Sequence, residues 1–190
     1  MKSLHHDEDG FTGLEAAIVL IAFVVVAAVF SYVVLGAGFF TTQKAQETVH
    51  TGVAQATSAV EPSGPVMIQA GASEAVTNAS FYLQLAAGGN SVDMTKVGYT
   101  VSTPKMVQTV QGTDSRVIIQ FVKEVNTGNL LEPREMVLID LDLAGMGFDE
   151  TTMTINDKML IEVKPPIGAA LPISRTIPAA LTNGRWYEVY

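Results

Sequence analysis

Three stretches of this chain carry residue types at spacings that suit chemistry. His5-His6-Asp7-Glu8-Asp9 sets imidazoles and carboxylates side by side, the ligand types a divalent cation takes. Asp140 and Asp142 stand two apart, so on a strand both carboxylates share one face and could offer oxygens to Ca²⁺ or Mg²⁺. Asp149-Glu150 adds two more nearby in sequence. A solvated acidic edge, which discourages strand-to-strand aggregation, accounts for these same carboxylates without a metal. Asn78-Ala79-Ser80 fits the N-x-[ST] acceptor of N-glycosylation, within a polar stretch, SEAVTNAS, that is expected to be a surface loop.

Beyond these stretches the chemistry thins out. The chain has no cysteine, so disulfides, thiolate metal sites and a thiol nucleophile are excluded. Its three histidines are His5, His6 and His50, which leaves no histidine for catalysis after residue 65. No Ser/His/Asp set, P-loop or GxGxxG fingerprint occurs, and the glycines of AAGGN and LAGMG read as turns. The single Trp186, in RWYEVY, reads as core or subunit contact rather than as a ligand cage. The net charge of −8 and the absence of a basic run argue against nucleic acid as a partner. An enzyme is not expected, and no cofactor is implied.

The elements that would position these residues fall into two regions. Ala16 to Leu35 is apolar except for Ser31 and the Tyr32 hydroxyl, and about twenty such residues span a ~30 Å hydrocarbon core. A Sec-type signal fits poorly, because its apolar region is shorter and is followed by a small-residue cleavage site. The next stretch, TTQKAQETVHTGVAQATSAV, keeps Ala45, Val49, Val53, Ala56 and Val60 at helical spacing. Glu61-Pro62-Ser63-Gly64-Pro65 then stops it. One helix is therefore expected over 11–61, apolar all round in its first half and amphipathic in its second. Such a helix needs a membrane or other copies of itself around it. Small residues among its Ile, Val and Phe, including Gly13, Ala16, Ala27 and Gly38, allow close helix approach.

After Pro65 the period becomes strand-like. Stretches such as VMIQA, ASFYLQLAA, SRVIIQFVKEV and REMVLIDLDL are rich in β-branched and aromatic residues, and glycine- and asparagine-containing turns separate them. In EMVLIDLDL, Val137, Ile139, Leu141 and Leu143 are expected to face one side, with Met136, Leu138, Asp140 and Asp142 on the other. The expected fold class is α+β, one long N-terminal hydrophobic helix followed by an antiparallel, immunoglobulin-like β-sandwich. Its parts are a leader (1–10), the helix (11–61), a hinge (62–65) and an outer β-domain (66–190).

Two ends of the chain point to a family. At the front, DEDG-FTGLE sets Gly10 before the hydrophobic Phe11, with Glu15 fifth from that boundary. This resembles the class III signal peptides of type IV pilin-like subunits, in which a membrane peptidase cuts after glycine and the apolar helix is retained. Gly13, third after the boundary, and the tail IEVKPPIGAALPISRTIPAALTNGRWYEVY are similar to archaellins, the archaeal flagellins. The tail pattern implies a strand, a Pro-x-Gly segment, a second strand and a final hydrophobic strand. The chain departs from the family in Glu8-Asp9, where archaellin leaders commonly carry Lys or Arg.

The resemblance implies processing between Gly10 and Phe11 by a prepilin-peptidase-like enzyme, and insertion in the membrane before assembly. It then implies self-assembly into a helical filament through Gly13, Glu15, Ile18, Phe23, Val26, Phe30, Val34 and Phe39. The filament would lie outside the cell, joined to motor and platform proteins of the archaellum, with Asn78 open to glycosylation. Glu15 also suits an adhesive pilin, where that glutamate pairs with the new N-terminal amine. From a different class, a membrane-anchored exported binding domain would show an uncut N-terminus.

Overall fold

The computed structural model of the chain describes residues 7–57, 60–123, 125 and 128–190. It divides into two compact units, Met1–Thr51 and Gly52–Tyr190. His5 and His6 lie outside the described residues.

The first unit belongs to α1 (Asp7–Thr57), a helix of 51 residues, about 77 Å long at ~1.5 Å per residue. It holds no proline, and its Ala, Leu and unbranched polar residues favour helix. The many Val and Ile residues would cost helicity in water, yet they suit an apolar surrounding that their side chains can pack against. The helix starts before the expected Phe11 and runs through the Gly10–Phe11 boundary. It also stops before the expected residue 61. Val60 continues the four-residue apolar spacing of the helix, but it belongs to a strand.

That strand is β1 (Val60–Pro62), which opens the β-domain. The others are β2 (Val66–Ala70), β3 (Val76–Leu85), β4 (Val92–Asp93), β5 (Gly98–Ser102), β6 (Val107–Gln111), β7 (Val117–Lys123), β8 (Leu130–Leu131), β9 (Met136–Asp142), β10 (Lys158–Lys164), β11 (Leu171–Thr176) and β12 (Trp186–Val189). One sheet has the order β12-β2-β3-β9-β7, with β1 also on β3; a second has the order β11-β10-β5-β6; β4 and β8 form a small pair. All pairings are antiparallel.

The two larger sheets share one core. Phe81, Leu83, Ile139 and Leu141 from the first meet the cluster formed by Tyr99, Val101, Ile161 and Val163 from the second. The alternation expected in β9 holds: Val137, Ile139 and Leu141 are fully buried, as is Leu143 just beyond it, while Met136, Leu138, Asp140 and Asp142 lie on the half-exposed face. Burial pushes the Tyr99 phenol upward, so it stays neutral within the core. Glu135, also buried, accepts hydrogen bonds from the backbone N–H groups of Val125 and Glu132, both at 2.8 Å, and so braces the turn before β9.

The expected hinge at 62–65 is corrected by the pairing. β1 and β2 occupy successive stretches of the same edge of β3: Val60↔Leu85 to Pro62↔Leu83, then Met67↔Ser80 to Ala70↔Val76. Between them the Ser63 N–H donates to the Tyr82 carbonyl at 3.0 Å, and the Ser63 hydroxyl donates to Gln84 at 2.8 Å. Two prolines without N–H groups break the strand rather than free the chain. Gly64, at φ +145°, makes the bend and sits against the Tyr82 ring.

Candidate assembly surface

Of the residues that could do chemistry, Asp142 and Asp149 hold turns, and Asp140 and Asn78 meet across two strands. Asp142 Oδ1 accepts the Gly145 N–H at 2.8 Å. Asp149 Oδ1 accepts those of Thr151 (2.9 Å) and Thr152 (3.0 Å); hydrogen bonds from these two residues hold its carboxyl down at about 2. Asp140 accepts from the Asn78 side-chain amide at 3.4 Å. Among the described residues, no group of three or more His, Asp or Glu is placed to hold a metal ion. Asn78 lies in β3, between β2 and β9, where it faces Gln69 and Asp142. The sequon is therefore in a strand at the middle of a sheet, not in a loop. Its polar pattern reflects the half-exposed face of that strand.

The distinctive surface is α1. Leu14, Ile18, Phe23, Val26, Phe30, Val34 and Phe39 are all well exposed, Phe23 at 77% and Phe30 at 68%. Glu15 is exposed within the same helix. Gly13, Gly36 and Gly38 have open space where a side chain would be. Gly10 and Phe11 lie in the helical backbone. Neighbouring ridges, Glu15-Val19-Phe23 and Ala16-Leu20-Val24, line a shallow apolar groove of the kind that receives side chains of a facing helix. Such continuous exposed apolar surface is unfavourable in water and marks a membrane or protein contact. One helix among the described residues, within Gly13–Gln55, is long and apolar enough to cross a membrane.

The more polar second half is also adapted to burial. Thr41 donates to the Ala37 carbonyl at 2.8 Å, Thr42 to those of Gly38 (3.1 Å) and Phe39 (2.9 Å), Thr48 to Lys44 (2.8 Å) and Thr51 to Glu47 (2.8 Å). Each hydroxyl is satisfied within its own helix, so a neighbouring helix can cover it without leaving an unpaired polar group. Lys44 and Glu47 pair at 2.6 Å, one turn apart. Sequence reasoning found the helix residues but not this internal hydrogen bonding, for which the recurrent threonines after residue 40 were the available signal.

Comparison with known proteins gives this surface a context. The family model for archaeal-type flagellin matches residues 10–175. A probable flagellin of Archaeoglobus fulgidus is 47% identical over 193 aligned residues, covering 93% of this chain and 94% of the relative. A solved structure of the archaeal flagellum of Methanospirillum hungatei strain JF1 superimposes with a TM-score of 0.71 at 35% identity, covering 93% of this chain and 98% of that one. A crystal structure of an archaeal flagellin from Methanocaldococcus jannaschii shares the fold, with a TM-score of 0.58 at 11% identity over 68% of this chain and 95% of that one. The family model spans most of the chain, and the similarity to the first relative runs over nearly the whole length of both: the chain belongs to the archaeal-type flagellin family.

Proposed function

We propose that the protein is the structural subunit of an archaeal swimming filament, polymerising through α1 and carrying out no catalysis. The observation that carries this reading is the combination of an exposed apolar helix with whole-length similarity to a subunit of an archaeal flagellum. The relatives make self-assembly and a place at the cell surface the function of the fold.

The steps before assembly extend that reading. A prepilin-peptidase-like enzyme cuts between Gly10 and Phe11, and α1 holds the subunit in the membrane until it is extracted. Cleavage creates an ammonium at Phe11, at the positive end of the helix, where a cation is disfavoured. Glu15 lies one turn further on, at i+4, the spacing at which a carboxylate can reach it and offset that charge. Lipid is as apolar as the filament interior, so extraction gains nothing from the hydrophobic effect. Close packing around Gly13, Ile18, Phe23, Val26, Phe30, Val34 and Phe39 supplies the free energy instead. Motor and platform proteins of the archaellum complete the machine, and Asn78 is its glycosylation acceptor, carried on the outward face of β3.

Mass spectrometry of the native chain tests the pathway. A chain beginning at Phe11, recovered from filaments sheared off swimming cells, is the expected result. An intact Met1, or filaments and swimming that persist after deletion of the gene without a substitute subunit, would sink the proposal.

A further inference from the structure

Among the described residues the first sheet ends at β7 and β12, at opposite ends of its strand order; the β12 end is tied to the second sheet only past the strand, where the Tyr190 carbonyl accepts the Thr176 N–H at 3.3 Å. The two ends are chemically different. β7 is seven residues long and apolar, with Ile118 and Val122 exposed on its outer side. Natural edges are usually blunted by charge, proline or shortness, whereas β7 has only a register shift between Phe121 and Lys123 and the cation of Lys123 itself. The β12 edge carries the exposed aromatics of the sandwich, Trp186 at 44% and Tyr190, just past the strand, at 84%. Glu188, between them, is exposed on the same side of β12 as Trp186. Neither Lys123 nor Glu188 makes an ion pair among the described residues.

We infer that the β7 edge of one subunit docks against the β12 edge of the next copy of this chain, with Trp186 and Tyr190 packing on Ile118 and Val122 and Glu188 meeting Lys123. The inference rests on the filament reading above and names the contact between its β-domains. Two different surfaces on one subunit form a heterologous contact, which propagates as an open helix instead of closing into a dimer. Aromatic anchors against aliphatic side chains, with a charge pair at the rim, are the composition of a specific interface. The charge pair fixes direction, because the reverse contacts, β7 to β7 or β12 to β12, would bring like charges together.

The absence of native cysteine allows a clean test in the full-length chain. Val122→Cys and Trp186→Cys are introduced together and singly, and filaments sheared from cells are mildly oxidised. Across one subunit the two edges are four strand spacings apart, about 19 Å, too far for an internal disulfide. The double variant is expected to give a ladder of covalent oligomers, and each single variant to stay monomeric. Filaments of the double variant that assemble without a ladder, or single variants that cross-link equally well, overturn the inference. Lys123→Glu and Glu188→Lys provide a second measurement should the cysteine chain not assemble. Each alone is expected to lower filament recovery at least about tenfold, and both together to restore it. A combined variant no better than the single ones also overturns the inference. If the wild-type chain is absent from wild-type filaments, the filament reading itself falls, an outcome separate from wild-type assembly with indifferent edges.

Discussion

Replacing Phe30 by alanine separates assembly from folding, because Phe30 is 68% exposed in the subunit while Phe81 is fully buried in the sandwich. A phenylalanine side chain offers on the order of 200 Å², so roughly 140 Å² of Phe30 remains to be covered by neighbours in a filament. At about 20–25 cal/mol per Å² this is ~3 kcal/mol when measured from water. The subunit starts from lipid, so the hydration part drops out, and packing alone leaves about 1 kcal/mol. Each 1.4 kcal/mol is tenfold in an equilibrium, so the subunit level needed to sustain a filament rises about fivefold. Phe81→Ala instead costs about 3–5 kcal/mol of fold stability and lowers Tm by roughly 12–20 °C. The assay is paired: near-ultraviolet circular dichroism of the full chain in detergent on heating, and electron microscopy of sheared filaments with immunoblots of the membrane fraction. Phe30→Ala should keep the sandwich Tm while subunit accumulates in the membrane and filaments are lost. If it lowers Tm as Phe81→Ala does, or leaves filament yield unchanged, the assignment of α1 as the assembly surface is wrong.

Two further predictions concern the sandwich, both read by the same thermal unfolding. Gly112→Ala drives a methyl into the Met94 carbonyl oxygen, a backbone atom that cannot swing away; it should cost about 1–3 kcal/mol, whereas Gly38→Ala, in open space on α1, should leave the sandwich Tm unchanged, and equal shifts would refute the distinction. Asp114 is held down at about 2, first by its hydrogen bonds from Arg116, and Asp149 similarly by Thr151 and Thr152. A carboxylate whose folded pKa lies below its unfolded value stabilises above about pH 4 and loses that contribution as pH falls toward 2. The Asp114→Asn/Asp149→Asn chain should therefore lose less Tm between pH 4 and pH 2 than the wild type, and equal losses would count against these carboxylates as the acid-sensitive groups.

The parts of the fold legible in the sequence are those with long, uniform patterns. The apolar run of α1 and the alternation of β9 each extend over enough residues for one period to dominate. The end of α1 was misread because Val60 serves two patterns at once. It is four residues after Ala56, as a helix stripe requires, yet at 6% exposure it belongs to the sandwich core beside Leu85. β1, β4 and β8 contain only two or three residues, too few to show alternation. Asn78 looked like a loop residue because polar side chains on the outer face of a central strand resemble those of a turn when no partner strand is known. The exposed apolar residues of α1 were legible for the opposite reason: nothing among the described residues covers them, so their hydrophobicity has no local explanation. The edge residues Ile118 and Val122 were not, since exposure at an edge depends on strand order, which sequence does not carry.

The way the chain enters the β-domain has a mechanical consequence. Tension that reaches the β-domain along the backbone from its N-terminal side meets β1 first. This strand is already hydrogen-bonded to β3, which is itself held by β2 and β9. Tension is thus handed to the middle of the sheet before it reaches the bend at Pro62–Pro65. The three residues of β1 act as a strain relief, like the clamp on a cable where it enters its housing, and the β2–β3 pairing beyond is pulled only after that clamp has slipped.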